Sequence, residues 1–406
     1  GQTSRTNIIA NLTQQIDESS SAEHLLYFSN YNFELYSNFT FFLEDPVNGD
    51  QIKQLENRNL LGYQSSYKKR IALGDHVVLE NKAGVGFRYD NVDNNELSHT
   101  LNRDSVINRI AFGDVDETNL FAFIDETMIV GRFRFNGAVR FDNFSFDYHD
   151  RLSTQYRSLN SQQSIVSPKL NVNYRVSPRT SLYFNNGVGF HSNDTRVVTG
   201  GMRNGLPQAF GQDLGVLFKP TSRILLQAAL WRLNLQQEFV YVGDAGVVEP
   251  SGKTTRMGID VSGRFQITNW LFADFDVNLT QPRAANIPEG ENYIPLAPLT
   301  TSIGGLSVKT RSGIGGSLRY RYMADRPANE DNSIVAVGYN IIDATLSYTR
   351  RSFEIGLSCE NLLNTAWNET QFATESRLQN EAMPVEEIHF TPGVPRYVKG
   401  RLIFYF

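Results

Sequence analysis

Cysteine occurs once in the 406 residues, at Cys359. One thiol can form neither an intrachain disulfide nor a cysteine-based zinc site. No stretch approaches the ~20 consecutive apolar residues of a membrane helix, and mean hydropathy is −0.34. The six histidines are scattered, with no pair at metal-ligand spacing. A net charge of −5 argues against nucleic acid as a partner. No charged and apolar leader stands at Gly1, so the sequence reads as a mature or truncated form. Aromatic residues, in contrast, are plentiful, with 27 Phe and 18 Tyr. Low hydropathy and many aromatics together suit a membrane barrel, which places its apolar residues at every second position.

That alternation is present. From Phe133 to Phe141 the odd positions are Phe133, Phe135, Gly137, Val139 and Phe141, and Arg134, Asn136, Ala138 and Arg140 lie between them. Leu170, Val172, Tyr174 and Val176 alternate with Lys169, Asn171, Asn173 and Arg175. Ile259, Val261, Gly263 and Phe265 repeat the pattern, as do Leu271 to Leu279 and Ile314 to Tyr322. An arginine facing lipid near the midplane costs roughly 2–4 kcal/mol, so the polar sets are expected to face a wet lumen. A soluble sandwich would also alternate, but these runs of about 12 or more residues exceed its usual 5–6.

About 17 strands can be read, near 3–13, 22–43, 56–71, 76–90, 118–130, 133–147, 165–176, 179–191, 209–219, 222–240, 254–267, 270–280, 300–309, 312–324, 337–349, 352–366 and 396–406. Short turns such as Gly74-Asp75-His76 and Ser177-Pro178-Arg179 alternate with long polar connections, among them Asn91–Thr118, Asp147–Ser164, Asn193–Gln208 and Trp367–Pro395. This is the layout of an outer-membrane barrel with its short turns in the periplasm. The expected fold is therefore an all-β transmembrane antiparallel barrel occupying residues 1–406 as one domain. Bacterial single-chain barrels have an even strand number. An odd count, with the last strand descending, sends the first strand down too, so the expectation is an incomplete barrel.

The chain closes on Tyr397-Val398-Lys399-Gly400-Arg401-Leu402-Ile403-Phe404-Tyr405-Phe406, with Val398, Leu402, Phe404 and Phe406 on one face. That ending resembles the signal by which outer-membrane barrels are recognised for insertion. Several stretches together resemble the C-terminal barrel of TonB-dependent outer-membrane receptors. They are Ser167 to Phe184, Gly211 to Val216 with Pro220 to Arg223, Met257 to Asp260, Pro295 to Pro298, Arg319 to Tyr322, Glu360 to Asn364 and Pro392 to Arg396. They occur in the family's order and span roughly residues 118–406. The resemblance implies strands six to twenty-two of a 22-stranded barrel, with the N-terminal plug and first strands absent from the sequence. It implies a Gram-negative outer-membrane transporter importing a scarce nutrient, most readily a ferric siderophore or other iron complex. Its partners would be outer-membrane lipid, the barrel assembly machinery, the TonB–ExbB–ExbD complex acting through the plug, and a small-molecule ligand. No cofactor and no catalysis are expected. A passive porin-type channel and a barrel serving as a structural or interaction partner remain alternatives.

Candidate ligand-binding residues are Arg88, Arg140, Asp142, Arg319 and Arg321 in the lumen, with Tyr148, Tyr241 and Tyr293 on outer loops. Guanidinium forks bind anionic oxygens bidentately and aromatic faces pack flat ligands. The same arginines could instead form Arg–Asp ladders with lumen carboxylates such as Asp90, Asp142, Asp274 and Asp276, merely satisfying one another, or pair with the plug. Further loop aromatics, Tyr156, Phe210, Phe372 and Phe390, could line an external vestibule. The run His191-Ser192-Asn193-Asp194 invites a hydrolase reading, but a triad is assembled from separated positions. The acidic sets Asp90, Asp93, Glu96 and Asp114, Asp116, Glu117 lack the ligand spacing and turn glycine of a calcium loop. Cys359 is in phase with Phe353, Ile355 and Leu357 and reads as a small hydrophobe on the lipid face.

Overall fold

The structure, a computed structural model, describes residues 1–153, 157–201, 204–242 and 247–406. Seventeen antiparallel strands form one sheet. They are β1 (Gln2–Gln15), β2 (Ser20–Ser37), β3 (Ile52–Leu73), β4 (Val77–Leu101), β5 (Ser105–Val130), β6 (Phe133–Asp150), β7 (Arg157–Ser177), β8 (Thr180–Phe190), β9 (Gln208–Thr221), β10 (Ile224–Leu235), β11 (Thr254–Gln266), β12 (Leu271–Ala284), β13 (Thr300–Lys309), β14 (Ile314–Met323), β15 (Tyr339–Thr349), β16 (Phe353–Glu360) and β17 (Tyr397–Phe404). Each pairs with its neighbours in sequence, and β1 and β17 flank the sheet. Every strand expected from the alternation has a counterpart.

Cross-strand register makes the alternation continuous around the wall. Phe141 sits opposite Ala122, Val139 opposite Ile124 and Leu170 opposite Gly137, so apolar residues share one face. The polar face is equally continuous, with Lys82 opposite Asp125 and Asn136 opposite both Thr127 and Asn171. A cavity of about 820 Å³ bounded by the polar residues of β7–β12 marks this face as the concave, lumen side. Short turns occupy one end throughout, and Gly74 (φ 68°) and Gly131 (φ 56°) supply the left-handed backbone that two of them need.

Glycines inside the strands are filled by rings from the neighbouring strand. Gly84 lies opposite Phe123, Gly86 opposite Phe121 and Gly258 opposite Trp231. A Cβ built on Gly84 would stand 2.6 Å from the Phe123 ring. A strand glycine leaves the sheet without a packing group, and the facing ring supplies it.

The structure corrects several sequence expectations. The connection expected over Asn91–Thr118 is sheet: β4 and β5 stay paired to a turn at 102–104. The connection expected over Asp147–Ser164 shortens, because β6 runs to Asp150 and β7 begins at Arg157. In these segments the apolar residues no longer alternate regularly with polar ones, and bulges between Val92 and Asn95, Leu97 and Ser98, and His99 and Thr100 break the phase on β4 and β5, yet the backbone ladder continues. The second strand ends at Ser37, not 43; there Asn38 caps a turn through its Oδ1, which accepts from Phe41 N at 2.7 Å. The connection 361–396 contains its own hairpin, Asn368–Ser376 with Val385–Pro392. Val398, Leu402 and Phe404 lie on the apolar face of β17, with Phe406 just past its end.

Candidate functional site: the loop-end vestibule

The polar face of β6 changes character toward the loop end. Arg140 and Asp142 give way to Phe144, Phe146 and Tyr148, all pointing the same way. These aromatics would be stranded in a wet lumen. The β8–β9 connection covers them: Val198 and Leu206 pack with Phe144, Phe146 and Ile165 into a buried cluster, and Phe146 is 0% exposed. The described residues of the connection over Asn193–Gln208, expected outside, therefore fold inward. A short helix, α1 (Thr195–Thr199), opens on Asp194, which accepts from Arg196 N at 2.9 Å. Two further ties fix the segment, Gly205 N to Gln163 Oε1 at 2.8 Å and Thr195 Oγ1 to Glu117 Oε2 at 3.5 Å.

Between this segment and β3–β5 lies a polar cavity of about 280 Å³, lined by Glu56, Arg58, Arg88, Asp90, Glu117 and Asp194 among others. Its aspartates are paired with arginines, and the Thr195 hydroxyl meets Glu117 at 3.5 Å. Arg88 grips Asp90 through two bonds of 2.5 and 2.8 Å, and Arg58 Nη1 stands 3.7 Å from the same carboxylate. Arg196 grips Asp194 the same way, at 2.9 and 2.6 Å. Burial pushes the Asp194 carboxyl up, but the Arg196 hydrogen bonds and charge outweigh it and hold the group below its ordinary value.

The other candidate arginines are also partnered. Arg140 holds Asp142 bidentately at 2.8 and 2.6 Å and lies 3.8 Å from the Phe121 ring centroid. Asp142 is 0% exposed and also accepts from Asn119 at 3.1 Å. Arg319 pairs with Asp274, and Arg321 with Asp343 at 3.3 Å. These pairs form a lumen ladder, so a ligand would have to displace a carboxylate to use one of these guanidinium groups.

The aromatic candidates separate. Tyr148 belongs to β6 rather than to a loop and is 9% exposed. Phe210 lies in β9 on the apolar face, away from the vestibule. Tyr293 is at the mouth, under Arg283 at 4.3 Å. Tyr156 and the side chain of Tyr241 lie outside the described residues.

The remaining outer connections are tied to one another. Phe39 meets Phe372 edge-on at 5.4 Å, and Phe41 stacks on His389 at 5.6 Å. Gln371, 3% exposed, clasps Val337 with both ends of its amide, at 3.0 and 2.8 Å. Leu296 N donates to Pro327 O at 2.7 Å. The sequence carried no periodic signal for these contacts. Arg326 was also missed: it is 8% exposed, and its Nη1 has no partner among the described residues.

A sheet of seventeen antiparallel strands with a polar concave face and a loop-covered mouth narrows the comparison to membrane barrels. Residues 1–362 match the family described as TonB dependent receptor-like, beta-barrel. The chain belongs to that family. The TonB-dependent receptors are transporters and receptors rather than enzymes, and their barrels sit in the Gram-negative outer membrane. Solved structures show the same fold. The ferric citrate transporter FecA in its unliganded form matches at TM-score 0.79 with 14% identity, over 99% of this chain and 62% of that one. The ferric yersiniabactin uptake receptor FyuA from Yersinia pestis matches at 0.71 with 13% identity, over 100% and 61%. The copper transporter OprC matches at 0.73 with 12% identity, over 98% and 65%. The chain thus spans less than two thirds of the length of these structures. No match was found among curated proteins.

Proposed function

We propose that this receptor barrel imports a scarce nutrient across the outer membrane, with a ferric siderophore or other iron complex as its substrate. The observation that carries the reading is the vestibule itself. A polar lumen lined by paired charges opens into a mouth that folded loops partly cover, which suits capture of a ligand more than free diffusion. The uptake receptors of similar fold include those for ferric citrate and ferric yersiniabactin. A copper transporter has the same fold, so the metal is a separate question.

Residues 1–406 are then one barrel domain, the wall corresponding to strands six to twenty-two of a 22-stranded receptor. Backbone groups on the free sides of β1 and β17 would go unsatisfied in hydrocarbon, which supports a wall with more than seventeen strands. A plug read by the TonB–ExbB–ExbD complex would gate the lumen, and the assembly machinery would read Val398, Leu402, Phe404 and Phe406. Ligand contacts would come from Tyr293 and the Tyr148 and Tyr241 regions, with Arg88, Arg140, Asp142, Arg319 and Arg321 setting the field below them. The test is growth of a strain lacking the gene on single iron, copper and cobalamin sources, with uptake of the radiolabelled metal complex. Loss of growth and uptake on one iron complex is expected. Normal growth on every iron source would sink the siderophore reading.

A further inference from the structure

The short-turn end changes charge around the wall, with Asp17, Glu18 and Asp75 in its first two turns and only basic charges in the turns that follow. The turns from Gly131 to Ser352 carry Arg132, Arg179, Arg223, Arg311, Arg350 and Arg351 and no Asp or Glu. At the other end, the connection 361–396 carries Glu369, Glu375, Glu381, Glu386 and Glu387 against Arg377 and Arg396, a net negative charge. The basic turns stand at the level of an outward aromatic belt, where Phe133 stacks on Tyr174 at 4.5 Å and Tyr348 meets Phe353 at 6.3 Å. Such belts mark the interface between hydrocarbon and headgroups.

Two adjacent turns differ from the rest in what lies beside them. The β13–β14 turn carries Arg311 and the β15–β16 turn carries Arg350 and Arg351, all exposed. Among the described residues none of the three has a carboxylate partner. Arg350 is nonetheless held: its guanidinium lies 5.0 Å from the Tyr348 ring centroid, and its Nε donates to the Tyr348 hydroxyl. Directly outward of these turns the apolar face of β14–β17 is grooved, with about 700 Å³ bounded by Ile314, Leu346, Ile355, Leu357, Gly400 and Leu402. Register orders it in rows, Ile314–Tyr348–Ile355–Leu402 beside the turns and Gly316–Leu346–Leu357–Gly400 beyond. A Cβ on Gly400 would meet nothing within 4 Å, so the groove floor is open there.

We propose that this groove is a binding site for an anionic phospholipid of the periplasm-facing leaflet. One acyl chain lies along Ile314, Leu346 and Leu357, and the phosphate is held by Arg311, Arg350 and Arg351. The charge argument favours this occupant. Three guanidinium groups without acid partners, at headgroup depth and above an apolar trough, complement a molecule with a phosphate at one end and hydrocarbon at the other. A zwitterionic lipid fills the trough equally well but brings a compensating cation to the arginines.

The test uses the full receptor purified from outer membranes, delipidated, and incubated with dioleoyl phosphatidylglycerol or dioleoyl phosphatidylcholine. Native mass spectrometry then counts retained lipid. The wild type is expected to retain one phosphatidylglycerol in preference to phosphatidylcholine. Each of R311Q, R350Q and R351Q should lower that preference roughly fivefold. The control R132Q/R179Q, in turns away from the groove, should leave it unchanged. G400L should displace the lipid while leaving the arginines in place, and β-sheet circular dichroism checks the fold of each variant. Equal retention of the two lipids overturns the proposal, as does an equal loss in the control variant, which would mean a diffuse basic rim.

Discussion

The wall formed by β3–β7 and the wall formed by β13–β17 follow the same alternation but rise to different heights. β4 and β5 contain 25 and 26 residues, and β16 and β17 contain 8 each. Crossing hydrocarbon takes only ~9–11 residues in a tilted strand. The tall wall therefore continues as sheet far past the membrane. There its outward face turns polar in a row that runs Asn59–Asn91–Asp116–Asp147–Asn160 across five strands. The short wall stops near the membrane and spends its remaining residues on separate structures, the hairpin within 361–396 and the clasp at Gln371. Strand length is thus decided by what the chain does in water, and apolar alternation reports only the part in lipid.

The walls also hold their charges differently, and that difference can be tested. On the tall wall Asp142 is fully buried between Arg140 and Asn119, whereas on the short wall both Arg321 and Asp343 remain partly exposed. Asp142→Ala should destabilise the folded barrel by about 2–4 kcal/mol, because the buried Asn119 amide and the partly exposed Arg140 guanidinium both lose their acceptor. Asp343→Ala should cost less than about 1 kcal/mol. Urea unfolding of the receptor refolded in lipid vesicles measures both, and equal costs would erase the contrast.

Next in size is the inward segment that only the tall wall supports. Leu206→Ala removes a side chain that is 3% exposed from the cluster over Phe146. A local loss of about 2–3 kcal/mol is expected. Proteolysis should then cut within 191–207 while the barrel stays heat-modifiable on gels; unchanged protection would mean that the segment is held by its polar ties alone. Smaller still, Gly84→Val should cost about 1–3 kcal/mol by crowding Phe123. Phe123→Ala in the same chain should recover part of that loss, and a purely additive double variant would show that the two do not pack as a pair.

The smallest expected effect is in the turn between β1 and β2. Hydrogen bonds from the Ser20 and Ser19 side chains and the Ser19 backbone hold the Asp17 carboxyl at about 2. Its folded value is depressed, so its stabilising contribution is complete above the ordinary carboxylate range and is lost as pH falls toward 2. Amide exchange at Ser19 and Ser20 should accelerate over that window and become independent of pH in Asp17→Asn, apart from intrinsic chemistry. A window near neutral pH would contradict the assignment.

Much of the wall was legible in the sequence, for a physical reason. Lipid on one side and water on the other impose a period of two, and that period survives in single residues such as Val139 between Ala138 and Arg140. The candidate arginines were legible as lumen residues for the same reason. Their saturation by lumen carboxylates, Asp90 and Asp274 among them, is one of two sequence readings; the pairing of Arg321 with Asp343 has no counterpart in it, and only register chooses between the two. Tyr148 was placed on a loop because its neighbours show no outward apolar residues, although the ladder carries on through it.

By itself, then, the sequence determined the strand count, the two faces, the order of turns and the family. The first three follow from local alternation against a two-sided solvent, and the family rests on the resemblance of motifs such as Ser167 to Phe184 and Pro392 to Arg396. The tertiary structure alone decided which long connections are sheet, that the 191–207 segment turns inward, and that the lumen arginines are already bound. Those outcomes depend on contacts between residues far apart in the chain, such as Phe146 with Val198 and Gln371 with Val337, and no period along the sequence encodes them.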